Sequence, residues 1–170
     1  MKNLTLLKAL VDLFFFFGVL AVGGMLIILP IYILNPEMDL PIKIAGQTLG
    51  DRDPSTIIVV ILGMAGALFF IYSIYRLRAV LALFIKHEIF SDNVSRHFTV
   101  IGQCIIASTF LTSVPMFFYN AIHRNKLGIE INGGGFDSFL MSTSLGLLFL
   151  VISEIFKKAK NMKEENELTV

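Results

Sequence analysis

The chain offers thirteen carboxylates, three histidines and one cysteine for chemistry, and their spacing limits what they can do. Asp12 follows Lys8 by one helical turn, and Glu154 precedes Lys157 and Lys158 by the same interval. That is the spacing of ion pairs along one helix face. Both carboxylates sit at the ends of apolar segments and read as interfacial structural groups. Proton-coupled export would call for a carboxylate near the membrane midplane, and no apolar segment carries one. His87, His97 and His123 are dispersed, and Cys104 lies inside an apolar run. His97 and Cys104 share a face, but seven residues of helix separate them by about 10.5 Å. Ligand bonds of about 2.0–2.3 Å cannot close that gap around one metal. There is no Ser-His-Asp order, phosphate loop or dinucleotide fingerprint, and Gly133-Gly134-Gly135 reads as a plain turn. The residues therefore point to no enzyme, no cofactor and no metal. The remaining polar feature is a face of hydroxyls, Ser108, Thr109, Thr112 and Ser113, with Pro115 just beyond. Hydroxyls there can satisfy carbonyls freed near a proline or bond to a neighbouring helix.

The elements that would carry these residues are membrane helices. Of 170 residues, 55% are hydrophobic and only 16% charged, with a mean hydropathy of +0.77. Crossing the ~30 Å hydrocarbon core takes about 20 mostly apolar residues. Four runs meet that need: 10–34, 57–75, 98–119 and 139–156. The first exceeds the about 7–15 residues of a signal-peptide core and lacks a small-x-small cleavage site, so it is expected to stay as a helix. Gly18, Ala21, Gly23 and Gly24 in the first run, and Gly63 with Ala67 in the second, offer small surfaces for helix contact. The Phe14–Phe17 run is expected to face lipid or fill gaps between helices. Asn35-Pro36 ends the first helix, because a residue before proline avoids the helical region.

The apolar pattern of the second run continues past the membrane. Leu77, Val80, Leu81, Phe84 and Ile85 fall on one helical face, which predicts helix to about His87. Ser91 then serves as an N-cap, with Asp92 suited to the positive end of the next helix. Val94, Phe98, Ile101 and Ile105 continue that helix at helical spacing. The expected fold is all-α: a single integral membrane domain over 1–170, with helices at 10–34, 57–87, 92–119 and 136–158 and a tail at 159–170.

Charge predicts orientation. The N-terminus, the connector 76–97 and the tail hold Lys2, Lys8, Arg76, Arg78, Lys86, Arg96, Lys157, Lys158, Lys160 and Lys163, most of the fourteen Lys and Arg residues. By the positive-inside rule these parts are cytoplasmic. Pro41 to Gly46 and Leu127 to Asn132 alternate apolar and polar residues, a strand signal in each outer loop. Together they predict a small extracellular β cap, with Lys43 opposite Glu130. Pro30-x-x-x-x-Asn35 and Pro115-x-x-x-x-Asn120 hint at a parallel internal repeat of two helical hairpins.

Ile89-Phe90-Ser91-x-Asn93 ties to no reaction, yet with Glu154-Ile155-Phe156 and the closing Glu164-Glu165-x-Glu167-Leu168-Thr169-Val170 it carries a resemblance. Together with the four spans, these residues resemble the YoaS-like family, a bacterial membrane family of unknown function. Its members are typically encoded beside a small Xre-type helix-turn-helix regulator. The resemblance implies a plasma-membrane protein that controls or tethers such a regulator, and it brings no catalytic residues. The residues expected to meet that partner are Arg76, Arg78, Phe90, Asn93, Arg96, Glu164, Glu165 and Leu168. A net charge of +1 gives no reason to expect direct nucleic-acid binding. The other partners are the lipid bilayer and, in a homo-oligomer, further copies of the chain. The alternative function is a small transporter or channel built on the hydroxyl face of the third helix.

Overall fold

A computed structural model describes residues 2–35, 43–44, 47–48, 54–123 and 136–168. Side chains at 32, 33, 43, 44, 47, 48, 123, 136, 137, 167 and 168 are not described. The order is α1 (Lys2–Leu34), β1 (Lys43–Ile44), β2 (Gln47–Thr48), α2 (Pro54–Ile85), α3 (Asp92–His123) and α4 (Phe136–Leu168). At ~1.5 Å per residue each helix runs close to 50 Å, well beyond the ~30 Å hydrocarbon core. Each helix is therefore longer than the apolar layer is thick.

Local chemistry explains most boundaries. α1 continues through Pro30 and stops at Leu34, and the Asn35 amide donates to the Ile31 carbonyl at 3.0 Å. Pro54 opens α2, where its missing N–H costs nothing. The helices depart from the expected bounds most at α1 and α4, while α2 starts at Pro54 instead of 57 and α3 runs to His123 instead of 119. α1 begins at Lys2, not residue 10. α4 does not end at 158, so 159–168 is helix and not a separate tail. The reason is composition: 157–168 contains Lys, Glu, Ala, Met and Leu with no Gly or Pro to stop the helix.

The expected cap is not supported. The strand signal in the first loop does appear, but Lys43–Ile44 pairs antiparallel with Gln47–Thr48 of the same loop. Two adjacent short strands need no second loop. The third-loop signal at 127–132 and the Lys43–Glu130 pair lie outside the described residues.

Contacts follow chain order. α2 packs along α3, α3 along α4, and α1 more lightly on α2. α3 is thus the central helix. Near the α2–α3 connector, Val80, Val94, Phe98, Ile101 and Ile105 are buried together. Phe98 stacks on Phe149 and Phe156 at centroid distances of 6.0 and 5.4 Å, and Phe84 meets Phe156 at 5.8 Å. At the opposite end, Val59, Val60, Met116 and Tyr119 form a second cluster under Leu29, and the Thr56 hydroxyl donates to the Tyr119 hydroxyl at 3.3 Å.

Close approach rests on particular glycines. A Cβ on Gly102 would lie 2.6 Å from the Gly146 carbonyl oxygen, and one on Gly146 would lie 3.0 Å from the Gly102 oxygen. Between α2 and α3 the contact residue is Gly66, whose Cβ would meet Thr112 Cγ2 at 2.7 Å and the Ser108 oxygen at 3.0 Å. On α1 only Gly18 meets a neighbour, Ile71 of α2; Gly23 and Gly24 open onto empty space. Phe14, Phe16 and Phe17 are exposed as lipid-facing residues would be, and Phe15 packs on Tyr75 at 6.0 Å.

Candidate functional site

The candidate site is the connector end of the bundle. α2 finishes in a paired turn: the Glu88 amide reaches the Leu83 carbonyl at 3.0 Å and the His87 amide reaches Phe84 at 3.2 Å. This is a Schellman arrangement, with a left-handed residue just past the helix. His87 occupies that place, at φ 62°, which is why α2 ends at Ile85 and not at His87.

The turn then presents two apolar side chains to solvent, Ile89 and Phe90, 37% and 46% exposed. Ser91 begins the next helix differently from expectation. Its carbonyl accepts from the Val94 amide at 3.0 Å, while its buried hydroxyl has no partner. The side-chain N-cap is therefore not made.

An ion pair ties this turn to the far end of α4. Lys160 Nζ lies 2.5 Å from Asp92 and 3.2 Å from Glu164. One turn into α3, a clasp of hydroxyls joins the same two helices. The Ser153 hydroxyl donates to the Ser95 carbonyl at 2.7 Å and lies 2.7 Å from the Thr99 hydroxyl. Ser153 is buried, so these bonds satisfy a polar group that hydrocarbon would otherwise penalise.

The two arginines of α2 diverge. Arg78 reaches α1, where it pairs with Asp12 and covers the Phe15 ring at 4.4 Å. Asp12 is thus an inter-helix partner and not simply the partner of Lys8. Arg76 turns to α3. Its Nε donates to the Tyr72 hydroxyl at 2.9 Å, its Cζ lies 4.8 Å above the Tyr72 ring, and Nη1 is 3.5 Å from His97 Nδ1. Glu154 makes no ion pair with Lys157 or Lys158; all three are exposed.

Of the residues expected to meet a partner, Phe90, Asn93, Arg96, Glu164 and Glu165 are exposed. Arg76 and Arg78 are half-buried and engaged within the bundle. Leu168 closes α4 and its side chain is not described. Sequence reasoning missed Asp92 and Lys160, which join the two halves of the surface. They lie 68 positions apart, and no local pattern connects them.

The hydroxyl face of α3 is largely turned on itself. Thr109 donates to the Ile105 carbonyl at 2.8 Å, and Thr112 lies 2.9 Å from the Ser108 oxygen and 3.1 Å from the Thr109 oxygen. Ser108 and Thr109 are buried, and Ser113 is half-buried. Among the described residues, no three His, Cys, Asp or Glu side chains gather to hold a metal. The connector end exposes apolar side chains beside charges of both signs.

Four helices long and apolar enough to cross a membrane define an integral, multi-pass membrane protein. A family model described as "Protein of unknown function (DUF2975)" matches residues 29–170, and the chain belongs to that family. The match takes in α2, α3, α4 and the end of α1. No curated protein and no solved structure matches the chain.

Proposed function

We propose that the protein is a non-enzymatic regulator in the bacterial plasma membrane, with both termini and the connector in the cytoplasm. It binds a small helix-turn-helix regulator through the α2–α3 turn and the end of α4. The observation that carries this reading is the Asp92–Lys160 ion pair. It makes one surface of two segments that the sequence presents separately. On that surface Ile89 and Phe90 supply apolar contact, and the exposed carboxylates Glu164, which also pairs with Lys160, and Glu165 add acidic character. Negative charge suits the basic face with which a DNA-binding protein meets phosphate. The clustering of Lys2, Lys8, the connector and the α4 terminus at one end supports the orientation.

A photo-crosslinker at Phe90 or Asn93 in cells is expected to capture the regulator. Deletion of 160–170 is expected to abolish capture and change transcription of the regulator's targets. Capture that persists after the deletion, or transcription that stays the same, would sink this reading. The alternative, a small transporter or channel on the hydroxyl face of α3, has less support. Thr109 and Thr112 already bond to carbonyls of their own helix, and the Thr112 methyl packs towards Gly66.

A further inference from the structure

We propose that Arg76, with Arg96 and His97 beside it, binds the phosphate of an anionic phospholipid at the connector end of the membrane. Arg76 and Arg96 are also among the residues expected to meet the regulator, but the lipid site stands on depth, charge and geometry and is tested without the regulator.

Depth comes from the neighbouring residues. Arg76 follows the apolar run of α2, and His97 immediately precedes the apolar run of α3. Tyr72 and Tyr75, stacked at 6.2 Å, are 40% and 50% exposed just below Arg76. Exposed tyrosines at the end of an apolar run sit at headgroup level. The Arg76 guanidinium is therefore placed where lipid phosphates lie.

Charge distinguishes this arginine from its neighbours. Arg78 is neutralised by Asp12, and Lys160 by Asp92 and Glu164. Among the described residues no carboxylate pairs with Arg76 or Arg96. Arg76 Nη1 lies 3.5 Å from His97 Nδ1, and the exposed Arg96 immediately precedes His97 in the chain. Glu154, on α4, makes no ion pair with either arginine. A zwitterionic headgroup brings its own cation to these arginines, whereas an anionic one leaves net negative charge for them.

Geometry supplies the rest. The Tyr72 hydroxyl accepts from Arg76 Nε and also from Nη2, and the Tyr72 ring lies under the guanidinium. The side chain is thereby held in place before any ligand arrives, which lowers the ordering cost of binding. The N–H groups engaged by neither Tyr72 nor His97 Nδ1 remain for a phosphate, which a guanidinium suits.

The test is lipid retention by the full-length protein in dodecyl maltoside, read by native mass spectrometry. Dioleoylphosphatidylglycerol and dioleoylphosphatidylcholine are the two probes. The wild type is expected to retain the anionic lipid in preference to the zwitterionic one, and millimolar inorganic phosphate is expected not to displace it. Arg76→Gln should weaken phosphatidylglycerol retention roughly fivefold, while Lys86→Gln, the same charge change on an exposed residue, should alter it by about twofold or less. Arg76→Lys should fall between. If Arg76→Gln does not fold, Arg96→Gln and Arg76→Lys carry the comparison with Lys86→Gln. The proposal is overturned by equal losses at positions 76 and 86, by equal retention of the two lipids, or by displacement with inorganic phosphate.

Discussion

Two glycines facing each other set the distance between α3 and α4. Each points its hydrogen at the other's carbonyl, so a methyl group on either would enter a space already filled by backbone. Backbone cannot rotate away as a side chain can. Gly102→Ala or Gly146→Ala is therefore expected to lower stability by about 1–3 kcal/mol, despite the better helix propensity of alanine. Gly23→Ala meets nothing within 4 Å and is expected to be neutral within about 0.5 kcal/mol. Unfolding titrations in mixed micelles compare the three, and equal effects at Gly102 and Gly23 would refute the close-packed crossing. All of these positions are visible in the sequence as small residues. Which of them touch another helix is not, because that depends on the rotation of both helices.

At the scale of elements, the connector is set by how α2 stops. His87 takes a left-handed conformation that costs an L-residue about 1–2 kcal/mol and a glycine almost nothing. His87→Gly is expected to raise stability by up to about 1 kcal/mol, and His87→Val to lower it by at least about 1 kcal/mol. The order Gly, His, Val in thermal unfolding midpoints checks this, and any other order counts against the turn described. α4 makes the complementary case. Its last three turns stand beyond the apolar run and are fastened by Lys160 to Asp92. Lys160→Glu is expected to speed amide exchange over 161–166. Adding Asp92→Lys is expected to restore the slower rate, since the swap rebuilds the pair with opposite sign. Exchange unaffected by the first change would show that this pair does not hold the extension.

For the whole molecule, the helices form a series in which each leans mainly on its chain neighbours. α3 is the axis and α1 the periphery. α1 touches α2 through Gly18, Phe15 and Asp12 and leaves much of its surface apolar and exposed. In water that surface would drive aggregation; in a bilayer it is ordinary. The orientation proposed here predicts cysteine labelling. With Cys104 replaced by serine, a cysteine at Asn93 is expected to react with a membrane-impermeant maleimide only in opened cells. A cysteine placed in the 36–53 loop is expected to react in intact cells. The reverse pattern would invert the protein in the membrane and remove the regulator surface from the cytoplasm.

The four helices were legible in the sequence because a bilayer imposes a length of apolar chain, and 170 residues with four such runs leave little else to build. Their helical faces were legible too: Val80, Val94, Phe98, Ile101 and Ile105 were placed on one side by periodicity and are buried there. The full length of α4 was open to the same reasoning, since nothing in 157–168 breaks a helix. Other features belong to the tertiary structure alone. Asp12 had a plausible partner in Lys8, but the rotation of α1 against α2 gave it Arg78. Ser153 carries no signal of its own in the sequence, and its bonds to Ser95 and Thr99 arise from the packing of α3 on α4. Asp92 and Lys160 became a pair only when α3 and α4 lay side by side. Hydrophobic length and period are properties of a single segment, and the sequence states them outright. The pairing of polar groups depends on the relative rotation and depth of two helices, which packing decides.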